Sequence, residues 1–246
     1  MVAPRRDVEV VVSSNHHRLD GGRKRLRSAP TGSILRPMDP EFWRARWSEG
    51  RIGFHEGHPN ALLARQAGVL GKERRVLVPL CGKSEDLAFL AAHGHEVVGI
   101  ELVESAVRDF FREHGMKPEI SASGPFKRYE TPGLTLLVGD VFDATAEHVG
   151  RVNALYDRAA LVALPSSLRE RYARHLRGLL VPGSNGLVIT MEVEKESDEG
   201  PPFSIPQEML QALYQGLEVR LLESSPAEDG RLRDLHAINH AFSVGF

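Results

Sequence analysis

Apolar and polar positions change period regularly along this chain, alternating between helical spacing and short continuous apolar runs. PEFWRARWSEG (40–50) places Phe42, Trp43, Arg46 and Trp47 at helical spacing, and Gly50 marks the stop. Asn60 is placed to cap ALLARQAGVL, and Gly71 follows it. RVLVPL (75–80) is a continuous apolar run, the pattern of a strand covered on both faces. SEDLAFLAAHG (84–94) is an amphipathic helix closed by Gly94; EVVGIEL (96–102) is a second strand and SAVRDFFREHG (105–115) a second glycine-closed helix. LTLLVGD (134–140) and VNALYD (152–157) predict a third and fourth strand. SSLRERYARHLRGLL (166–180) predicts a long helix capped by Ser166 or Ser167. NGLVITMEV (185–193) is a fifth strand, IPQEMLQALYQG (205–216) a helix, and LEVRLLE (217–223) and HAINHAFSV (236–244) a sixth and seventh strand.

Strands alternating with helices predict an α/β fold: a doubly wound, mostly parallel seven-stranded sheet in a three-layer, Rossmann-like arrangement. The last two strands follow each other without a helix, which predicts an antiparallel edge. The ligand site of such a sheet lies at the C-terminal ends of its strands. With 246 residues, 41% hydrophobic and 26% charged, one large core is feasible. This domain spans 38–246. Residues 1–37 carry eight Lys/Arg against three acids and lack a sustained apolar period. They read as a disordered basic extension, or as sequence ahead of a start at Met38; the alternative is a basic arm for nucleic acid or anionic lipid.

Charge and cysteine usage narrow the classes further. A formal net charge of -2, with the folded part more acidic than the whole, argues against a nucleic-acid partner. No apolar run approaches the ~18 residues of a membrane span, and the N-terminus has no apolar signal core. A single cysteine, Cys81, fits a reducing cytoplasm.

The candidate chemistry gathers at strand ends. The first strand runs into PLCGKS, where Gly82 permits close backbone approach, and Glu101 closes the second strand nineteen residues later. A carboxylate there can accept both hydroxyls of a ribose; the competing reading is a solvated loop carboxylate. Asp140, at the third strand end, either meets an adenine or caps a turn. Arg158 in YDRAAL is a fixed cation for a bound carboxylate, or a structural partner of Asp157. Cys81 has no paired base in sight and reads as a packed thiol. His55, His93 and His95 read as turn or cap residues, and His16 and His17 fall in the basic segment.

FWRARW (42–47), GFH (53–55), VLVPLCGKSEDLAFLAAHGHEVVGIE (76–101), YDRAALVALP (156–165) and GPPF (200–203) resemble the thiopurine S-methyltransferase family, closest to its bacterial members. PLCGK and DRAAL together are specific to that family among methyltransferases. The resemblance implies a class I methyltransferase fold, with S-adenosyl-L-methionine as cofactor, S-adenosyl-L-homocysteine as its product and no metal. It implies Trp43 to Phe54 as a cover over the cofactor, with Trp47 in contact, and Leu80, Gly82 and Glu101 binding from the strand ends. It also implies Asp140 and Val141 flanking the adenine, Arg158 on the cofactor side with a possible assist to catalysis, and Phe54 contacting the acceptor. The rigid Pro201-Pro202 loop, with Phe203, borders the acceptor pocket. Arg231 and Arg233 are candidates for a proton-handling arginine. The implied reaction is methylation of sulfur, or selenium or tellurium, in a small aromatic or heterocyclic thiol by a monomer. Alternatives are another small nucleophile (halide, thiocyanate, metalloid oxyanion) or a cofactor-binding protein without turnover. Two further rivals fit less of the sequence: a dinucleotide oxidoreductase would carry GxGxxG, and a nucleic-acid methyltransferase would place the Pro-Pro-aromatic motif after the fourth strand.

Overall fold

The computed structural model describes residues 40–53, 55–193, 200–227 and 230–246. The expectations for residues 1–37 and for Phe54 lie outside the described residues, as does the side chain of Arg231. In chain order the elements are α1 (Pro40–Ser48), α2 (Ala61–Gln66), β1 (Arg75–Pro79), α3 (Glu85–Ala92), β2 (Glu96–Glu101) and α4 (Glu104–Glu113). There follow β3 (Glu119–Ser123), β4 (Phe126–Thr131), β5 (Leu134–Val138), α5 (Ala146–Val149), β6 (Val152–Arg158) and α6 (Ser166–Leu179). The last elements are β7 (Leu180–Glu192), α7 (Gln207–Leu213), β8 (Glu218–Pro226), α8 (Gly230–Asp234) and β9 (Ile238–Gly245).

One sheet runs in the order β3-β4-β5-β2-β1-β6-β7-β9-β8. Its five central strands, β5-β2-β1-β6-β7, pair in parallel. β1 explains why a parallel strand reads as an unbroken apolar run. Val76 and Val78 join the layer of Leu62, Leu87 and Phe110, whereas Leu77 joins the opposite layer of Tyr172, Leu176 and Leu210. Each such buried side chain contributes about 1.5–3 kcal/mol through the area it removes from water. Among the described residues no helix is long and apolar enough to cross a membrane.

The sheet has nine strands where the pattern predicted seven. The additional pair is the hairpin β3–β4, whose turn places Gly124 at φ 59°. β3 is almost wholly exposed and β4 buries only Phe126 and Tyr129, so neither forms an apolar run. β4 pairs antiparallel with β5 and β9 with β7, so both margins of the sheet are antiparallel. Asn60 caps α2 as expected, its side-chain oxygen accepting from the Leu62 and Leu63 amides at 3.0 and 3.3 Å. At α6 the cap expectation fails. Pro165 occupies that position without a side-chain cap bond, because the helix already begins at Ser166. β7 starts earlier than the pattern placed it, running straight out of α6.

Candidate active site

The turn after β1 is built from backbone bonds. Leu80 (φ 48°) and Gly82 (φ 55°) both take left-handed conformations there, costly for leucine and natural for glycine. The Cys81 amide donates to the Ile100 carbonyl at 3.0 Å, tying the turn to β2. Ser84 Oγ accepts from the Asp86 amide at 3.2 Å and caps α3. Glu101 closes the arrangement: its Oε2 accepts the Gly82 amide and its Oε1 the Val103 amide, each at 2.8 Å. Burial raises the Glu101 pKa, and the Val103 and Gly82 amides oppose that rise. Each carboxylate oxygen therefore accepts one backbone amide, and the Leu102 amide adds a smaller contribution to holding the charge. A carboxylate held in this way is an acceptor, and adjacent hydroxyls, as on a ribose, are donors that could bond to it.

Cys81 is a packed thiol. It is buried against Gly99, where an added Cβ would lie 2.8 Å from its sulfur and 2.5 Å from Leu136 Cδ2. Burial pushes the thiol well above its ordinary pKa and Glu101 adds to the rise, so no thiolate is available as a nucleophile.

Three consecutive residues at the end of β6 point into two different environments. Tyr156 donates its hydroxyl to Asp86 Oδ2 at 2.8 Å, and Asp86 is completely buried. The other Asp86 oxygen accepts the Asn60 amide at 2.7 Å. Arg158 Nη1 lies 3.9 Å from Asp86 Oδ2, and Arg158 Nη2 donates to Glu56 Oε1. Burial opposes the Arg158 charge, yet Tyr156, Glu56 and Asp86 hold its pKa above the ordinary value. The Asp157 partnership considered for Arg158 is not what forms. Alternation along the strand turns Asp157 to the opposite layer, where its Oδ2 accepts the Tyr172 hydroxyl at 2.9 Å. Burial raises the Asp157 pKa to about 6.

Leu80, Gly82 and Arg158 line one cleft at the C-terminal ends of β1 and β6, together with His55, Lys83, Ser84, Asp86 and Tyr156. Glu101 is not among its lining residues but accepts the amide of Gly82, which is. The His55 amide closes a turn onto the Ile52 carbonyl at 2.8 Å, and its ring faces the cleft. Burial, followed by the Lys83 charge, lowers the His55 pKa, which favours the neutral ring. A shallow bowl at the opposite, N-terminal ends of the strands, lined by Arg74, Arg75, Glu96 and Arg151, is open and mostly charged. Parallel sheets bind ligands at the other end.

The remaining predicted residues are not among those that line this cleft. Trp43 and Trp47 are half-buried on α1, and neither lines the cleft. Asp140 is exposed and caps a short 3-10 turn, accepting the Phe142 amide at 2.9 Å. Val141 is buried, and its carbonyl oxygen lies 2.8 Å from His175 Nε2. Pro202 is exposed, while the Phe203 amide donates to Val162 at 2.7 Å, just past β6. Arg233 is exposed on α8. Asp86, Tyr156, Glu56 and Asn60 were not singled out for the site from the sequence. Asp86 did carry a signal: with Leu87 and Leu90 it occupies the buried stripe of α3, where an acid needs a reason.

Comparison with known proteins decides the family. The family model for thiopurine S-methyltransferase (TPMT) matches residues 38–240. A thiopurine S-methyltransferase of Pseudomonas aeruginosa is 49% identical over 73% of this chain and 83% of its own length. One from Pseudomonas fluorescens is 52% identical over 68% of this chain and 77% of its own length. The chain belongs to the thiopurine S-methyltransferase family. As a member it is a methyltransferase, and its cofactor is S-adenosylmethionine. The fold agrees with more distant enzymes. The 1,6-didemethyltoxoflavin-N1-methyltransferase of Burkholderia thailandensis superposes with a TM-score of 0.57 at 16% identity, covering 84% of this chain and 86% of that one. A SAM-dependent methyltransferase from Methanosarcina mazei gives 0.56 at 12% identity, covering 76% and 98%.

Proposed function

We propose that this methyltransferase transfers a methyl group to the sulfur of a small aromatic or heterocyclic thiol, acting as a monomer in the cytoplasm. The observation that carries the donor side is the buried Glu101 carboxylate at the end of β2, held by backbone amides against the Gly82 turn. In this reading Glu101 accepts the ribose hydroxyls, and Leu80 and Gly82 bring backbone against the nucleoside. Asp140 and Val141 flank the adenine, with Asp140 able to cap its turn through one oxygen and accept from an amino group through the other. Trp43 and Trp47 belong to the cover, where an indole face against a sulfonium contributes about 0.5–2 kcal/mol. Phe54, Pro202 and Phe203 border the acceptor, and Arg158 stands between the two ligands.

When bound, S-adenosylmethionine supplies a methyl group activated by its positive sulfur. The protein aligns the thiol behind that methyl and excludes water as opposite charges cancel. An aromatic thiol sheds its proton readily, so this reading assigns no strong general base.

Calorimetric titration with S-adenosylmethionine, followed by methyl-transfer assays on thiopurines, thiophenols and selenite, tests the proposal. Donor binding with S-methylation of the aromatic thiols is the expected result. Donor binding with turnover of selenite alone would move the acceptor to selenium species, and no turnover of any acceptor would refute the thiol assignment.

A further inference from the structure

The cleft has a guanidinium whose ligand is supplied by the chain itself. Glu56 lies in the connection between α1 and α2, four residues before the Asn60 cap. Its Oε1 accepts from Arg158 Nη2, and its Oε2 accepts from Asn60 Nδ2 at 3.2 Å. Asp86, with a side chain 1% exposed, approaches the same guanidinium from α3, with its Oδ2 at 3.9 Å. One cation thus stands against two carboxylates. Lys83, the other cation lining the cleft, is held by both oxygens of Glu113 at 2.8 and 2.9 Å. The Glu56 and Asp86 contacts are unequal: Asp86 is locked by the Tyr156 hydroxyl and the Asn60 amide, whereas the Glu56 side chain is 35% exposed.

An acceptor carrying a carboxylate or oxyanion would need Arg158 as its counter-charge and would have to compete with Glu56 for it. It would also meet an uncompensated negative charge in a partly buried cleft, where roughly tenfold discrimination is well within reach of one like charge. A neutral thiol meets no such opposition. We infer that Glu56 is a specificity-determining residue that occupies the Arg158 guanidinium and so selects acceptors without a second anionic group. This rests on the small-thiol reading above and adds to it the charge of the acceptor. Glu56 acts through Arg158 and is a positioning residue.

Glu56→Gln removes the charge while leaving a carbonyl oxygen for Arg158. The test compares kcat/KM for thiophenol and 2-mercaptobenzoate, at saturating donor, in the unaltered protein, Glu56→Gln and Glu56→Asp. The inference expects the unaltered protein and Glu56→Asp to favour thiophenol. Glu56→Gln should shift the ratio about tenfold toward the carboxylated thiol, mainly through its KM. An unchanged ratio, or equal losses on both thiols in both variants, overturns it, since a merely structural residue would act on both acceptors alike. A second arm measures benzoate and phenol binding to protein loaded with S-adenosylhomocysteine. There, tighter benzoate binding in Glu56→Gln supports the role and unaltered binding refutes it. Failure to methylate either thiol sinks the acceptor assignment, while the binding arm still decides the role of Glu56.

Discussion

The turn at the end of β1 and the cluster at the end of β6 border the same cleft and are held together by different forces. At the β1 end, Glu101 bonds backbone amides only 19 and 2 residues away. At the β6 end, side chains meet across long stretches of chain: Arg158 to Glu56 over 102 residues, Tyr156 to Asp86 over 70. Backbone donors are present whatever the neighbouring side chains, so the first arrangement is supplied by strand, turn and helix alone. The second exists only if several particular side chains are all in place. Its loss therefore falls on folding, whereas the proposed role of Glu101 places the effect of its loss on the ligand.

The largest test of that contrast is Asp86→Ala. It leaves Arg158, the Tyr156 hydroxyl and a buried amide without a shared acceptor, and breaking a buried pair costs about 3–5 kcal/mol. A drop in Tm of roughly 10 °C is expected in thermal denaturation; a drop of a degree or two would mean that the cluster is not what holds the connection before α2 to the sheet. Asp157, on the opposite layer from Arg158, gives the next effect. Its folded pKa of about 6 lies above the ordinary aspartate value of about 3.9, so the protonated form is favoured on folding. That stability is complete below about pH 4 and lost as pH rises through about 6, amounting to about 3 kcal/mol. Asp157→Asn should flatten the fall of Tm across that window and be the more stable protein at pH 8; an unchanged pH profile would show that Asp157 is solvated. The smallest of the three in free energy is Glu101→Ala, expected to weaken S-adenosylmethionine binding roughly 100-fold by calorimetry, as two charged hydrogen bonds are lost. Its Tm should fall less than that of Asp86→Ala, because burial already opposes the Glu101 charge. If both variants lose the same Tm, the contrast between the two ends collapses.

Legibility followed the same division. The parallel centre of the sheet was readable because strands covered on both faces are apolar along their buried length, as β1 is after Arg75 and β2 is between Glu96 and Glu101. The β3–β4 hairpin was not, since a mostly exposed strand carries no apolar run to mark it. The Gly82 turn and the Glu101 strand end were visible for a local reason: a left-handed turn favours glycine, and the acid ends the next strand. Asp140 could be read from the sequence either as a contact to the adenine or as a cap, and the fold displays the capping bond.

What the sequence determined alone is the layer arrangement and the position of the glycine turn after β1, because periodicity and backbone conformation act over a few residues. The tertiary structure decided the partners of Arg158. Asp157 was its neighbour in sequence, but alternation along β6 sends adjacent side chains to opposite faces of the sheet. The carboxylates that reached the guanidinium came from the α1–α2 connection and from α3. A charge pairs with whatever the fold brings within a few ångströms, and no local pattern records that distance.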